Sequence, residues 1–208
     1  MPLPEDTLNG SANPFPSLLL VESVPVTPGV SGQHRVYVDP ADNKTKRKSS
    51  AGVVTDLEFS RVVQVVNFQT GSMVTTTATI PLDDTIPQIG EGFELMTLAI
   101  TPTKTTSKLK IDIVVYATVD SASWIIGALF QDSTANALAA FLDYQNIGTG
   151  GMALCFTYYM TAGTTSSTTF RVRIGKDSGG TITFNGMGGA RKLGGVLASS
   201  ITITEIAA

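Results

Sequence analysis

The chain has few of the side chains from which catalytic and metal sites are built. Its 208 residues include one cysteine, Cys155, and one histidine, His34. No disulfide can form within the chain, and a zinc site with several Cys or His ligands is not expected. A Ser–His–Asp or Cys–His arrangement would have to use His34, which lies far from Cys155 in the sequence. We therefore expect no enzyme activity, no catalytic residue, no metal and no cofactor.

The same two residues have simpler structural interpretations. His34 begins the stretch HRVYV and is expected to be an ordinary strand residue. Cys155 lies in the apolar stretch 152–160, where we expect a buried, inert thiol because free cysteine is commonly buried.

Charge is also scarce. Charged residues make up 15% of the chain, against about 25% in an ordinary soluble domain, so we expect part of the surface to be covered. No stretch reaches the roughly 18 consecutive apolar residues of a spanning helix, which predicts no membrane insertion. The formal net charge of −3 argues against a nucleic-acid partner. The first residues lack the basic flank and apolar run of a secretory signal, so we expect a cytosol-like setting.

Threonine and glycine dominate instead, with 28 and 20 residues. Threonine favours strands and glycine favours turns, so the composition predicts an all-β chain. After residue 60, β-branched and aromatic stretches predict strands at 62–68, 72–80, 93–100, 108–119, 123–132, 151–162, 168–175, 181–185 and 199–206.

Two segments favour helical structure: residues 133–144 as a helix, and residues 190–193 as a single turn. Residues 133–144, STANALAAFLDY, are rich in alanine, and Ser133 or Thr134 is placed to cap a helix. The alternative is an alanine-rich connection packed over a sandwich. Many short strands with at most one helix predict a jelly-roll-like β-sandwich.

The sequence divides into three parts. Residues 1–20 contain four prolines, which exclude a helix or a central strand, and we expect an extended segment that attaches to another chain. Residues 21–60 carry three short strands that cannot enclose a core, so this unit needs copies of itself or a partner. Residues 61–208 are long enough for one head domain. The candidate attachment residues are the apolar cluster Leu18, Leu19 and Leu20.

Two charged groups were candidates for chemistry. Asp83 and Asp84 are adjacent, but neighbours on a strand point to opposite faces, and in the proline-flanked loop at 81–87 we expect them to solvate a turn. In the basic run KTKRK, alternation predicts a solvated face or intersubunit salt bridges rather than a phosphate site. That face carries Lys44, Lys46 and Lys48 beside Asp39 and Asp42.

A few aromatic residues offer an alternative to core packing. Trp124, Phe156, Tyr158 and Tyr159 lie in predicted strands, where a sugar ring could stack on them. Aromatic residues in such strands more often fill the core, which is the interpretation that we favour.

Residues 25–58, PVTPGVSGQHRVYVDPADNKTKRKSSAGVVTDLE, resemble a module found in virion proteins of tailed bacteriophages. The module has a Pro/Gly-rich lead, a strand of the form xRxYVD, a turn, a basic strand and a closing Gly-x-x-Thr-Asp-Leu. The matching residues are Arg35, Tyr37, Val38, Asp39, Gly52, Thr55, Asp56 and Leu57. The resemblance implies a small three-chain β neck between an attachment segment and a distal domain. Residues after 60 resemble, more loosely, the trimeric jelly-roll heads of phage fibres and of tumour-necrosis-factor-like proteins.

Together these features predict a structural protein of the virion, assembled in the host cytoplasm as a homotrimeric short fibre or spike. Its expected partners are its own copies, other phage capsid or tail proteins, and a host-surface glycan or protein bound by the head. Binding residues concentrate on loops of a rigid scaffold. The candidate receptor contacts are Thr103, Thr105, Thr106, Thr164, Thr165 and Ser166.

Two alternatives stay open. One is a capsid decoration protein, a head fibre or cement protein that stabilises or decorates the shell. The other is a carbohydrate-binding lectin or a glycan-degrading enzyme.

Overall fold

The computed structural model describes residues 34–57, 61–146 and 150–208. The chain forms two compact units, one within residues 1–60 and one at Arg61–Ala208. The candidate attachment residues lie outside the described residues, so their role stays a prediction. They are Leu18, Leu19 and Leu20.

The N-terminal unit is a small antiparallel sheet. Its strands are β1 (His34–Asp39), β2 (Lys44–Ser49) and β3 (Val54–Asp56), in the order β1-β2-β3. The β1–β2 turn closes with a 2.7 Å hydrogen bond from the Asn43 N–H to the Asp39 carbonyl, and Asn43 has the left-handed φ of 56° that asparagine tolerates. Among residues 34–57, Tyr37 is the one buried hydrophobic side chain, so the sheet has almost no core of its own.

The basic run pairs with acidic residues of the same sheet, as the alternation predicts. Lys46 Nζ lies 2.9 Å from Asp39 and 2.7 Å from Asp42, while Lys44 Nζ lies 3.8 Å from Asp56. The hydrogen bond from Lys46 holds the pKa of Asp39 below its usual value. These pairs lie within one chain; salt bridges between subunits stay a prediction.

The head is all-β, as the composition predicts, and none of its described residues forms an α-helix. A single 3-10 turn occupies Leu193–Gly195. The strands are β4 (Val62–Thr70), β5 (Val74–Thr76), β6 (Phe93–Ile100), β7 (Lys108–Val119), β8 (Ser123–Gln131), β9 (Ala139–Gln145), β10 (Gly151–Thr161), β11 (Thr168–Lys176), β12 (Ile182–Phe184), β13 (Gly186–Met187), β14 (Ala190–Arg191) and β15 (Ser199–Ile206).

Eight of these strands form two facing sheets. The first sheet has the order β4-β15-β7-β10, with β12 and β5 extending the sheet beside the end of β7. The second sheet has the order β6-β11-β8-β9. Numbered along the chain, the eight strands run 1-8-3-6 and 2-7-4-5, which is the double Greek key of a jelly roll. The jelly-roll prediction is confirmed; the trimer stays a prediction.

Alternating side chains fill the space between the sheets. Leu109, Ile111 and Ile113 of β7 are at most 1% exposed, and Ile201 and Ile203 of the neighbouring strand are fully buried. The second sheet contributes Ile125, Leu129, Phe170, Val172 and Ile174.

A second apolar cluster covers part of the outer face of the second sheet. The segment that follows β5 crosses this face, where the Ile80 N–H donates to the Lys176 carbonyl at 3.0 Å. Ile80 packs there on Ile126, Ala128 and Phe130. The rest of that face, towards β9, is left more open.

The expectation of a helix at 133–144 is wrong. Residues Ala139–Gln145 form strand β9, which pairs with β8 from Ser123↔Gln145 to Leu129↔Ala139. Pairing with the buried strand β8 outweighs the helix propensity of alanine. Residues 132–138 form the connection between β8 and β9, so the alternative of an alanine-rich connection holds for the first half of the segment alone.

The expectation of a buried Cys155 is also wrong. Cys155 is exposed, because β10 alternates and its inward position at this point is taken by Leu154, which is 4% exposed.

Candidate functional site

The two threonine-rich loops lie side by side. The Gly163 N–H donates to the Thr105 carbonyl at 2.9 Å, and the Ala162 N–H donates to the Ser107 carbonyl at 2.8 Å. The structure therefore brings together all six candidate receptor residues. Five of them are exposed and Thr164 is half-buried; the exposed residues are Thr103, Thr105, Thr106, Thr165 and Ser166.

A buried carboxylate holds the first of these loops. Glu205 Oε1 accepts hydrogen bonds from the Thr103 N–H at 2.9 Å and from Thr103 Oγ1 at 2.7 Å. Its other oxygen accepts from Gln64 Nε2 at 2.6 Å. Burial raises the pKa of Glu205, but the hydrogen bonds from Gln64 and Thr103 outweigh burial and lower the pKa to about 2. The Thr103 hydroxyl thus binds inward, towards Glu205.

The same end of the sandwich carries the covalent connection to residues 1–60. Arg61 is the first described residue of the head, and its carbonyl accepts a 2.7 Å hydrogen bond from the Ala207 N–H. The threonine-rich loops therefore lie at the same end of the head as Arg61.

An aromatic pair marks the opposite end, on the outer face of the second sheet. Trp124 of β8 and Tyr144 of β9 are directly paired across the strands, with ring centroids 5.0 Å apart and planes tilted by 50°. Trp124 is half-buried, whereas Tyr144 is 45% exposed and Leu142, two residues earlier on the same face, is 50% exposed. Trp124, Tyr144 and Leu142 lie on one face of the β8–β9 pair, and we call these three side chains the β9 strip.

Polar contacts fix the backbone beneath Trp124. Asp177 Oδ1 accepts from the Trp124 N–H at 3.2 Å and from Ser123 Oγ at 2.8 Å. The Asp177 N–H in turn donates to the Trp124 carbonyl at 3.2 Å. The indole ring is therefore presented from a rigid position, which favours binding because little entropy is lost.

A buried lysine supports the adjoining turn. The Lys176 side chain is 1% exposed, and its Nζ lies 3.2 Å from Asp120 Oδ1 and 3.1 Å from Ser121 Oγ. Asp120 also accepts from the Thr181 N–H at 2.8 Å, which together with Lys176 lowers its pKa. This network connects the β7–β8 and β11–β12 turns.

A cavity of about 380 Å³ adjoins the start of β9. Two of its carboxylates, Asp83 and Asp84, come from the segment that crosses the sheet. Asp83 Oδ1 accepts from the Thr85 N–H at 2.9 Å and from Thr85 Oγ1 at 2.6 Å, and these bonds lower its pKa. The two aspartates form part of a turn, as the sequence predicts. The lining residues are Asp83, Asp84, Thr85, Ile86, Pro87, Ala137, Leu138, Ala139 and Ala140.

The remaining aromatic candidates separate into two groups. Phe156 stacks on Phe141 with centroids 5.1 Å apart, and Tyr158 stacks on Phe156 at 6.5 Å, so both help to fill the core as favoured from the sequence. Tyr159 points the other way and is 57% exposed.

Over residues 34–57, 61–146 and 150–208, no group of three or more His, Cys, Asp or Glu side chains is placed to hold a metal ion. None of the helical structure in that part of the chain is long and apolar enough to cross a membrane.

Sequence reasoning missed two residues of the β9 strip. Tyr144 and Leu142 lie in the segment where we expected a helix. Residues two apart do not share a face of a helix, so the helix prediction did not place them together. The signal was a period of two in AAFLDYQ, with Ala140, Leu142 and Tyr144 on one side and Phe141 on the other.

Comparison with known proteins identifies no family: no family model matches the chain, and no curated protein matches it. Solved structures show distant likeness. A chain from the structure of infectious bursal disease virus Gx strain is 13% identical with a TM-score of 0.38, covering 79% of this chain and 43% of that chain. The present chain thus spans less than half of that protein.

Two other structures show similar distances. The EclA C-terminal domain, described as a sugar-binding protein, is 13% identical with a TM-score of 0.33, covering 65% of this chain and 82% of its own. The enzymatically active domain of bacteriophage CBA120 tailspike protein 4 is 14% identical with a TM-score of 0.25, covering 59% and 19%. We draw no functional conclusion from likeness at these TM-scores.

Proposed function

We propose that the chain is a non-enzymatic structural protein of a tailed-phage particle, a homotrimeric short fibre or spike. Residues 1–20 would attach it to other capsid or tail proteins, residues 21–60 would form a trimeric neck, and the jelly-roll head would bind a host-surface glycan or protein. The resemblance of residues 25–58 to a phage neck module supports this assignment.

The observation that carries the proposal is the incomplete core of the N-terminal sheet. Tyr37 is buried on one face, while the opposite face carries Val36 and Val38 paired with Arg47 and Thr45, and Val36 is 42% exposed. A three-stranded sheet of this size that buries one hydrophobic side chain and leaves a valine half exposed has too little core to be stable alone in water, so it needs a cover. Copies of the same sheet supply such a cover in a symmetric oligomer.

The mass in solution, measured by light scattering, tests the assembly. We expect a mass near three times 21.8 kDa. Val36→Glu replaces the half-exposed valine with a charged side chain that is costly to bury and should lower the mass, whereas Arg35→Glu, the neighbouring residue on the opposite face, should leave the mass unchanged. A stable monomer for the unmodified chain would overturn the trimeric neck.

Attachment is tested by removing residues 1–20. The shortened protein should keep its oligomeric mass and lose its association with phage particles in co-sedimentation. An unfolded head after this deletion would contradict the division into attachment segment, neck and head. Binding to the capsid rather than the tail would favour the decoration protein over the fibre.

A further inference from the structure

We infer that the β9 strip binds a neutral saccharide, which stacks on Trp124 and Tyr144. This inference rests on the attachment role proposed above and names the chemical class of the ligand and its contact residues. The threonine loops at the tethered end are not part of this site.

On the outer face of the second sheet, the β9 strip is more exposed to solvent than the centre of the face, which other residues cover. Ile80, Ile89 and Ala137 pack on the centre of the face, on residues of β8. Beyond them, Leu142 and Tyr144 are about half exposed. Exposed aromatic and aliphatic side chains that adjoin on a rigid strand mark a binding surface rather than a scattered exposure.

The two rings suit a sugar better than a flat aromatic ligand. Their planes are tilted by 50° at a centroid distance of 5.0 Å, so the pair forms an angled surface and not a slot between parallel faces. A sugar ring has an apolar face of C–H groups that packs on such a surface, and hydroxyl groups around its edge. The Trp124 indole N–H, which has no hydrogen-bond partner among the described residues, is a donor for those hydroxyls.

Acceptors for the hydroxyls lie at the other end of the strip. The cavity beside Ala140 presents Asp83 and Asp84, and Ala140 lies on the same face of β9 as Tyr144. Tyr144 follows Ala140 by four positions along the strand, a span of about 13 Å at the usual rise per residue. A short oligosaccharide can therefore contact the aromatic pair and the carboxylates together.

Charge selects against acidic sugars. The cavity lining includes two aspartates and no lysine or arginine, and the chain carries a formal net charge of −3. In the cavity, a sialylated or sulfated ligand would meet like charge and no basic side chain. The site therefore favours uncharged sugars.

Trp124 is the single tryptophan of the chain, so its fluorescence reports directly on the site. We would titrate the full-length protein with short oligosaccharides of glucose, galactose, mannose and N-acetylglucosamine, and with sialylated and sulfated counterparts. At least one neutral compound should shift the emission in a saturable way, and the acidic compounds should bind at least about tenfold more weakly.

Two tyrosine variants provide a matched pair. Tyr144→Ala removes a half-exposed ring from the strip and should weaken binding about tenfold, as expected for loss of one aromatic contact. Tyr159→Ala removes a similarly exposed ring from the outer face of the other sheet and should leave the affinity unchanged. Calorimetry on both variants checks the fluorescence, and equal melting temperatures show that both are folded.

Failure of the inference differs from failure of the proposed function. If no neutral saccharide binds, or if Tyr144→Ala binds as well as the unmodified protein, the saccharide site is overturned even where the protein assembles on particles. If a neutral saccharide binds at this site but the protein neither forms trimers nor associates with particles, the site stands and the virion role is wrong.

Discussion

Leu193 adopts a backbone conformation that leucine rarely takes. Its φ is 48°, in the left-handed region, and two glycines with positive φ follow it. The side chain is 72% exposed, so packing offsets little of the strain. We expect Leu193→Gly to raise the free energy of unfolding by up to about 1 kcal/mol, measured by urea denaturation.

Val196 provides the control for this change. It lies in the same loop, is 82% exposed, and has an ordinary φ of −87°. Val196→Gly removes a similar apolar side chain without relieving strain, so it should not stabilise the head. Equal effects of the two changes would show that the conformation of Leu193 costs nothing.

Glu205 makes the free energy of unfolding of the head depend on pH. Its pKa falls from an ordinary 4.5 to about 2 in the folded protein, so the unfolded chain takes up the proton first. The carboxylate contributes on the order of 3 kcal/mol above about pH 4.5, and this contribution is lost as the pH falls towards 2. Urea denaturation over that pH range should show the loss.

Glu205→Gln should be less stable than the unmodified protein at neutral pH, with a weaker dependence of stability on pH between 4.5 and 2. An unchanged pH profile would contradict the role of Glu205. The alternation of SSITITEI places Glu205 on the face of Ile201 and Ile203, but its partners Thr103 and Gln64 come from distant strands. The sequence therefore predicts an inward carboxylate without showing what binds it.

At the scale of the element, the alternation of apolar and polar side chains predicts the positions of strands more reliably than residue propensity does. Most long strands, such as β7 and β15, lie where alternation and β-branched content predict them. The exception is β9, whose alanines favour a helix in isolation and whose strand conformation depends on pairing with β8. Because the candidate site lies on β9, the expectation of a helix at 133–144 also prevented the prediction of Tyr144 as a site residue.

Gly127 shows how closely β8 and β9 fit. A Cβ atom at Gly127 would overlap the ring of Phe141, which lies directly opposite on β9. We expect Gly127→Ala to lower the free energy of unfolding by about 1–3 kcal/mol through overpacking. Thermal and urea denaturation measure the change.

Gly90→Ala serves as the control, since a Cβ there meets no atom within 4 Å and its φ is not positive. This variant should be neutral. Phe141→Leu should relieve part of the effect of Gly127→Ala, so the double variant should lose less than the sum of the two single losses. Additive losses would mean that the two side chains do not interfere.

At the scale of the whole chain, the two units differ in the number of hydrophobic side chains that each one buries. The head encloses a core with more than a dozen fully buried side chains, whereas residues 34–57 bury Tyr37 alone among hydrophobic residues. We expect residues 61–208, expressed without the rest, to unfold in a single cooperative thermal transition with a β-type circular dichroism spectrum. A broad, non-cooperative transition would show that the head depends on the N-terminal unit or on its copies.

The meeting of the two ends of the head has a mechanical consequence. β4 and β15 are paired from Val62↔Ile206 onward, and Arg61 is hydrogen-bonded to Ala207. Tension applied between Arg61 and Ala207 would act in the unzipping geometry and break the hydrogen bonds between β4 and β15 one pair at a time. Tension applied between Arg61 and a ligand on the β9 strip would instead be shared by both sheets. A load carried from residue 61 to a ligand on the β9 strip would therefore not open the β4–β15 pairs one at a time.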